Sequence, residues 1–284
     1  MRWADWRDRW PHADRSRFVD ARPYRWHVQQ MGEGPDLLLL HGAGAATHSW
    51  RHLMPRLAER HRCTAVDLPG HGFTRAVAGR STLDAMTADL FALLDALDVA
   101  PAALIGHSAG AAIALNMARE RPAPVASING AFAMFDGLAG WLFPFMAKAL
   151  AFNPLTVPFF TATASPARVG RILRATGSRI DPDTLDLYAA LIGDRDHVAG
   201  TLAKMASWRL EALVRAAPGI DVPVLLLAGD RDGTVPARVS RDLASRLPDA
   251  TLQVMPGLGH LLHEEAPDRA AGALLPWLAD VVRA

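Results

Sequence analysis

From residue 16 onward, SRFVDA and RWHVQQM form short extended runs separated by a turn of Arg22, Pro23 and Tyr24. Two such runs around a proline turn predict a β-hairpin. After the polar turn GEGP comes DLLLL, apolar without a break until His41 and Gly42, as expected of a strand buried on both faces of a parallel sheet. A helix is predicted from Trp50 to Arg60, then the strand CTAVDL, then a longer helix from about Ser81 to Leu97. In that helix Leu83, Met86, Leu90, Leu94 and Leu97 recur at helical spacing, an apolar stripe that can lie on a sheet. The strand AALIG at 102–106 runs directly into GHSAG and a helix rich in Ala109, Gly110, Ala111 and Ala112. Such small residues let a helix approach the sheet closely.

The alternation reaches VASING at 125–130 and then stops. From about 134 to 210 the chain reads as helices and loops, before VPVLLLAGD (222–230) and TLQVMP (251–256) resume the sheet. Strands that resume after a helical interlude indicate an insertion rather than a separate domain. The pattern therefore predicts an α/β fold with a mostly parallel eight-stranded sheet flanked by helices. Residues 1–133 and 211–284 would form the core, with an N-terminal arm over 1–15, and 134–210 a helical cap inserted after strand 6.

Composition narrows the function classes. The 284 residues are 50% hydrophobic and 21% charged, as in a globular chain with a substantial core. Thirty basic and 29 acidic residues leave a net charge of +1, so no global field would gather nucleic acid, which is not an expected partner. Cys63 stands alone, and MRWADWRDRW carries acidic residues where a signal peptide needs an apolar stretch. Both point to the cytoplasm. The greasiest stretch, 137–160, contains Lys148, Asn153, Pro144, Pro154 and Pro158, which argues against a spanning helix. Weak peripheral contact at the inner membrane stays open for it.

The chemistry concentrates at strand ends. Gly106, His107, Ser108, Ala109 and Gly110 match G-x-S-x-G between an apolar strand and a small-residue helix, the context in which a sharp turn lifts a serine hydroxyl out of a sheet. A serine needs a histidine to take its proton and a carboxylate to orient that histidine. Asp232, in GDRDGTVP, and His260, in MPGLGHLLHEE, follow the next two strands in that order. Asp230 and His263 are the competing acid and base. Asp230 would serve equally as a turn residue, and His263, followed by Glu264, Glu265 and Pro267, resembles a helix start. Ala109 and Ala43 are the candidate backbone donors to an oxyanion. His41, Gly42 and His107 are candidates for the pocket wall, although a glycine-rich turn and structural histidines would leave the same pattern. His260 and His263 also spell H-x-x-H, but no third ligand follows at a zinc spacing, so no metal is expected. No cofactor is expected either.

Taken together, LLLLHGAGAATHSW, DLPGHGFT, GHSAGAA, AGDRDGTVP and PGLGHLLHEE resemble the α/β-hydrolase superfamily over nearly the whole chain outside the insertion. The resemblance implies the α/β-hydrolase fold, with Ser108, Asp232 and His260 as its catalytic triad. It departs from many members after DLPGHG, where Phe73 and Thr74 stand in place of a frequent serine. More narrowly, WPHADRSRFV, HGAGAATHSW, GHSAGAAIAL, SINGAF with GLAGWLF, ATGSRID and HVAGTLAKMASWRL are similar to the BchO family, α/β-hydrolase-like proteins encoded with magnesium chelatase in bacteriochlorophyll-producing bacteria. That similarity implies a role near Mg²⁺ insertion into protoporphyrin IX, with magnesium-chelatase subunits as partners. ATP-driven insertion would belong to those subunits, since nothing here resembles a Walker A loop.

Aromatic residues crowd residues 132–160 at the start of the insertion, Phe132, Phe135, Trp141, Phe143, Phe145, Phe152, Phe159 and Phe160 among them, against 7% in the whole chain. A lid of that composition suits a hydrophobic small molecule, an acyl chain or a flat tetrapyrrole, with Phe135, Trp141 and Phe145 as candidate contacts. The same residues would also serve as the cap's own core. Trp3, Trp6 and Trp10 share one helical face before Pro11 and are expected to fold back on the domain. Two functions compete: a serine hydrolase acting on an ester or thioester of a hydrophobic substrate, and a porphyrin-binding accessory protein that keeps only the hydrolase shape. A general carboxylesterase unrelated to pigment synthesis is a third.

Overall fold

A computed structural model describes residues 1–132 and 153–282. Among them, eight strands form one sheet in the order β1-β2-β4-β3-β5-β6-β7-β8. β1 (Ser16–Ala21) and β2 (Tyr24–Met31) make the predicted hairpin, and β2 runs antiparallel to β4 (Arg62–Val66). From β4 through β3 (Asp36–Leu40), β5 (Ala103–His107), β6 (Val125–Ile128), β7 (Val224–Gly229) and β8 (Ala250–Met255) every pairing is parallel. All the parallel strands therefore end at one edge of the sheet, the edge where ligands bind in open α/β folds.

The unbroken apolar runs are explained by burial on both faces. Leu38 and Leu40 of β3 join one core layer, with Leu226 of β7, while Leu37 and Leu39 join the other, with Leu225 and Leu227. The first layer is closed by α3 (Leu83–Leu97) and α4 (Ala109–Glu120), the second by α2 (Leu53–Leu57) and α12 (Pro267–Val281). Helix α3 begins where Thr82 accepts a hydrogen bond from the Ala85 N–H and presents Leu83, Met86, Leu90 and Leu94 to the core. The helix expected over 50–60 is shorter than its pattern suggested: residues 47–50 form a 3₁₀ turn and only Leu53–Leu57 are α-helical. Pro55 has no N–H to donate, so it fits only in a first turn.

Between β6 and β7 lie α5 (Thr156–Ala162), α6 (Pro166–Ala175), α7 (Pro182–Gly193) and α8 (Arg195–Ser207), followed by α9 (Leu210–Ala216). The Arg51 guanidinium donates to Glu264 Oε2 at 2.7 Å and bonds Thr184 of α7, while the Tyr188 hydroxyl donates to Glu264 Oε1 at 2.7 Å. Burial, with Glu264 beside it, keeps Tyr188 protonated far above its usual range. Helix α8 crosses the loop after β4 at two glycines: a Cβ on Gly200 would stand 2.4 Å from the Gly70 carbonyl oxygen. Only hydrogen fits there.

The N-terminal tryptophans do fold back. Trp10 is buried, donates from Nε1 to Thr47 Oγ1 at 3.1 Å and packs edge-on against Phe73, as does Trp3. No helix among the described residues is long and apolar enough to cross a membrane. Phe135, Trp141 and Phe145, proposed from sequence as ligand contacts, lie outside the described residues.

Candidate functional site

Ser108 follows β5 at φ 51°, ψ −115°, a backbone conformation that non-glycine residues rarely adopt. Its neighbours enforce it. A Cβ at Gly106 would meet Ala111 Cα at 2.4 Å, and one at Gly110 would meet the Leu40 carbonyl oxygen at 2.0 Å. The turn closes only with glycine at both places. The Ser108 N–H donates to Ile128 O at 2.9 Å, and its carbonyl accepts from Ala111 and Ala131, each at 3.1 Å. Strain of this kind persists where surrounding bonds over-determine it.

The two loops after β7 and β8 meet the serine turn. Asp232 Oδ1 accepts the N–H groups of Thr234 and Val235 at 2.7 and 2.8 Å, and Oδ2 accepts His260 Nδ1–H at 2.7 Å. With Nδ1 the donor, the neutral ring keeps its lone pair on Nε2. His260 is held through its backbone: its carbonyl accepts His107 Nε2–H at 2.9 Å and Asn129 Nδ2–H at 2.7 Å, and its N–H donates to Thr176 O at 3.3 Å. Ser108 and His260 are mostly buried yet line one cavity, with Ala43, Ala109 and His107.

The competing acid and base have other duties. Asp230 Oδ1 accepts the Gly257 N–H at 2.7 Å, pinning the loop between β8 and His260. His263 is fully buried, its ring against Trp50 and His107, with no hydrogen bond to either nitrogen among the described residues. Burial, helped by the charge of Arg51, pushes it down to about 3. A ring so enclosed is a packing residue.

The remaining sequence candidates divide. Ala109 is the first residue of α4, so its N–H leaves the helix N-terminus without an intrahelical acceptor. The Ala43 N–H makes no hydrogen bond to another described residue. His41 and Gly42, expected in the pocket wall, do not line the cavity. His41 is buried beneath the loop, where Nε2 accepts the Leu68 N–H at 3.0 Å and Nδ1–H donates to Gly42 O at 2.8 Å. Both nitrogens are used, so the ring braces the loop. Burial, then the charge of Lys204, holds it down to about 3. Gly42 is pressed against the elbow, where a Cβ would stand 2.7 Å from His107 Nδ1 and 3.1 Å from Ser108 Cβ.

The cavity has a volume of about 350 Å³. Its walls are mostly apolar: Leu261 and Val235 from the core loops, Ile172 and Leu173 of α6, Met205 of α8, and Trp208 beyond it. Arg238, exposed at the start of α10 (Ala237–Ala244), stands at the rim. Among the described residues no three His, Cys, Asp or Glu side chains are grouped to hold a metal.

Asn129 escaped the sequence reading. At φ 47°, it donates to both Gly259 O and His260 O and accepts the Gly229 N–H at 2.7 Å, tying the strand end before Asp232 to the loop that carries His260. Its only local signal is the Asn-Gly pair after β6. Thr176 was also missed as a site residue. Its carbonyl accepts the N–H groups of both Gly233 and His260, and the Leu261 N–H donates to Ser178 Oγ at 2.9 Å.

Comparison with known proteins agrees with this architecture. A family model described as the alpha/beta hydrolase fold matches residues 35–267. The magnesium-chelatase 30 kDa subunit of Rhodobacter capsulatus is 47% identical over 95% of this chain and 96% of its own length. The pimeloyl-[acyl-carrier protein] methyl ester esterase of Chromobacterium violaceum is 31% identical over 84% of this chain and 93% of its own. Among solved structures, the epoxide hydrolase CorEH superposes with a TM-score of 0.79 at 20% identity, covering 94% of this chain and 99% of that one.

Proposed function

The chain belongs to the α/β-hydrolase fold family, and from that premise we propose a serine hydrolase acting on an ester or thioester of a hydrophobic ligand. Ser108 is the nucleophile, His260 Nε2 the general base and Asp232 the carboxylate that fixes the imidazole and stabilises its protonated form. The N–H groups of Ala43 and Ala109 receive the oxyanion. The observation that carries this reading is the pairing of a strained Ser108 with His260 on one cavity wall, His260 Nδ1–H being held by Asp232 at 2.7 Å.

In the acylation step, Ser108 Oγ attacks the carbonyl carbon while its proton passes to His260. The protonated ring then returns that proton to the leaving alcohol or thiol, and water repeats the sequence to free the acid. The helices between β6 and β7 act as a cap, residues 134–210, on a core of 1–133 and 211–284. A cavity of about 350 Å³ is at the small end of ligand pockets. It suits an acyl group, or one edge of a macrocycle, better than a fully enclosed macrocycle.

The identity to the magnesium-chelatase subunit over nearly the whole chain supports a role beside that enzyme in bacteriochlorophyll formation, in the cytoplasm, with chelatase subunits as partners. It also favours a second reading, in which the cavity binds a tetrapyrrole without turnover. Hydrolysis of p-nitrophenyl acyl esters separates the two. Turnover by the wild type, abolished in a folded Ser108→Ala variant, is the expected result. No turnover, together with a saturable shift of the protoporphyrin Soret band that survives Ser108→Ala, would favour the carrier.

A further inference from the structure

Helix α8 and the residue that caps it place His197, Thr201, Lys204 and Trp208 on one face, at i, i+4, i+7 and i+11. This face seals the helix onto the core. His197 Nδ1 accepts the Gly72 N–H and its Nε2–H donates to Gly44 O, each at 3.1 Å, while Thr201 Oγ1 lies 3.1 Å from His71 Nε2. The face also walls the cavity, since Thr201 and Trp208 both line it. Lys204 comes between those two residues along the helix, 1% exposed, and lies behind the wall rather than lining the cavity itself. Its Nζ has no hydrogen-bonding partner among the described residues and lies 5.8 Å from the Trp208 ring centroid.

Every other polar group in this cluster is accounted for. The titratable neighbours that bear on Lys204 are His41, His71 and His197, and burial keeps all three imidazoles in the neutral form. A buried ammonium without a counter-ion is costly, so its desolvation must be relieved by losing the proton or by gaining an anion. Burial pushes Lys204 down to about 7.

We propose that Lys204 anchors a carboxylate carried by an apolar ligand in the Ser108 cavity, a rotation of its four-carbon stem bringing the ammonium to the cavity side. The ligand is thereby held at two points, its reactive acyl carbon at Ser108 and its anionic group at the cap helix. A single amine behind an apolar wall matches one carboxylate. A phosphate, with its greater charge and three acceptor oxygens, calls for a cluster of donors. This assignment rests on reading the cavity as the substrate site, and it adds the substrate's charge to that reading.

Calorimetric titration of the whole protein with octanoate and with octanamide, a neutral analogue of equal length, tests it at pH 8 in two buffers of different ionisation enthalpy. The wild type should prefer octanoate by about tenfold or more, as a charge-assisted bond predicts. Octanoate should also bind with net proton uptake, because Lys204 recharges when it meets the anion. An arginine, charged throughout, would take up none. Lys204→Met should bind octanamide as the wild type does and lose both the preference and the proton uptake. Equal binding of the two ligands by the wild type, binding of neither, or a preference that survives Lys204→Met would overturn the assignment. Proton uptake is read on the wild type, so the test does not depend on the variant's folding. Turnover of a neutral p-nitrophenyl ester, measured alongside, reports separately on whether the site is a hydrolase.

Discussion

Asn129 and Ser108 both take a positive φ, at 47° and 51°, for different purposes. Ser108 is held there so that its hydroxyl stands clear of the sheet. Asn129 is turned so that one side-chain amide can bind Gly229, Gly259 and His260 at once. Removing that amide leaves buried backbone groups without partners, a loss of about 1–3 kcal/mol for each one left unsatisfied. Asn129→Ala is expected to lower kcat by roughly 10- to 100-fold with little change in KM, because His260 loses its orientation while the cavity walls remain. Steady-state kinetics on a neutral ester, with urea unfolding of the same sample, distinguishes this from a general loss of fold; an unchanged kcat would refute the positioning role. That Ser108, Asp232 and His260 lie together at neighbouring strand ends was legible in the sequence because each sits in a local signal, a glycine-flanked turn or a loop just past an apolar run. Asn129 was not, since its partners are 100 to 131 residues away. His41 misled for a related reason: its position beside the glycine loop is visible in sequence, but the Leu68 N–H that occupies its ring is not.

At the scale of elements, α8 depends on neutral histidine. The His197 ring accepts at Nδ1 and donates at Nε2, and a second proton would turn the acceptor against the Gly72 N–H. Burial lowers His197 to about 4 and His41 and His263 to about 3, and it holds His48, His71 and His107 well below the usual 6.5. The unfolded chain binds these protons near pH 6.5 while the folded chain refuses them, so unfolding takes up protons in the window from about 6.5 down to 4. Stability is full above that window and falls as pH drops through it, each histidine contributing about 1.4 kcal/mol per pH unit. Urea unfolding at pH 7, 6 and 5 should show a steep decline, and His197→Ala should reduce its slope by about one proton. A midpoint that stays flat from pH 7 to 5 would contradict the burial of these rings as neutral groups. β3, β5, β6 and β7 were readable because burial on both faces leaves an unbroken apolar run, and the hairpin because two extended runs flank a proline turn. The docking of α8 was not readable, since the Gly70–Gly200 crossing joins two ordinary glycines that only the fold brings together.

Across the whole molecule, the parallel strands deliver three chemically distinct loops to one edge, and helices between β6 and β7 supply apolar walls to the cavity there. A net charge of +1 offers no long-range steering, so recognition must come from the cavity itself, through apolar contact and the one or two charges near it. Leu155, which caps α5, and Phe159 within it are exposed. The central claim is that Ser108 is made nucleophilic by His260 and Asp232, and it can be read in one measurement. The protein is treated with a fluorophosphonate and the labelled peptide identified by mass spectrometry, for the wild type and for a folded His260→Ala variant. The account predicts a stoichiometric adduct on Ser108 in the wild type and almost none in the variant. No adduct on folded wild type, or equal labelling of Ser108 without His260, would contradict it.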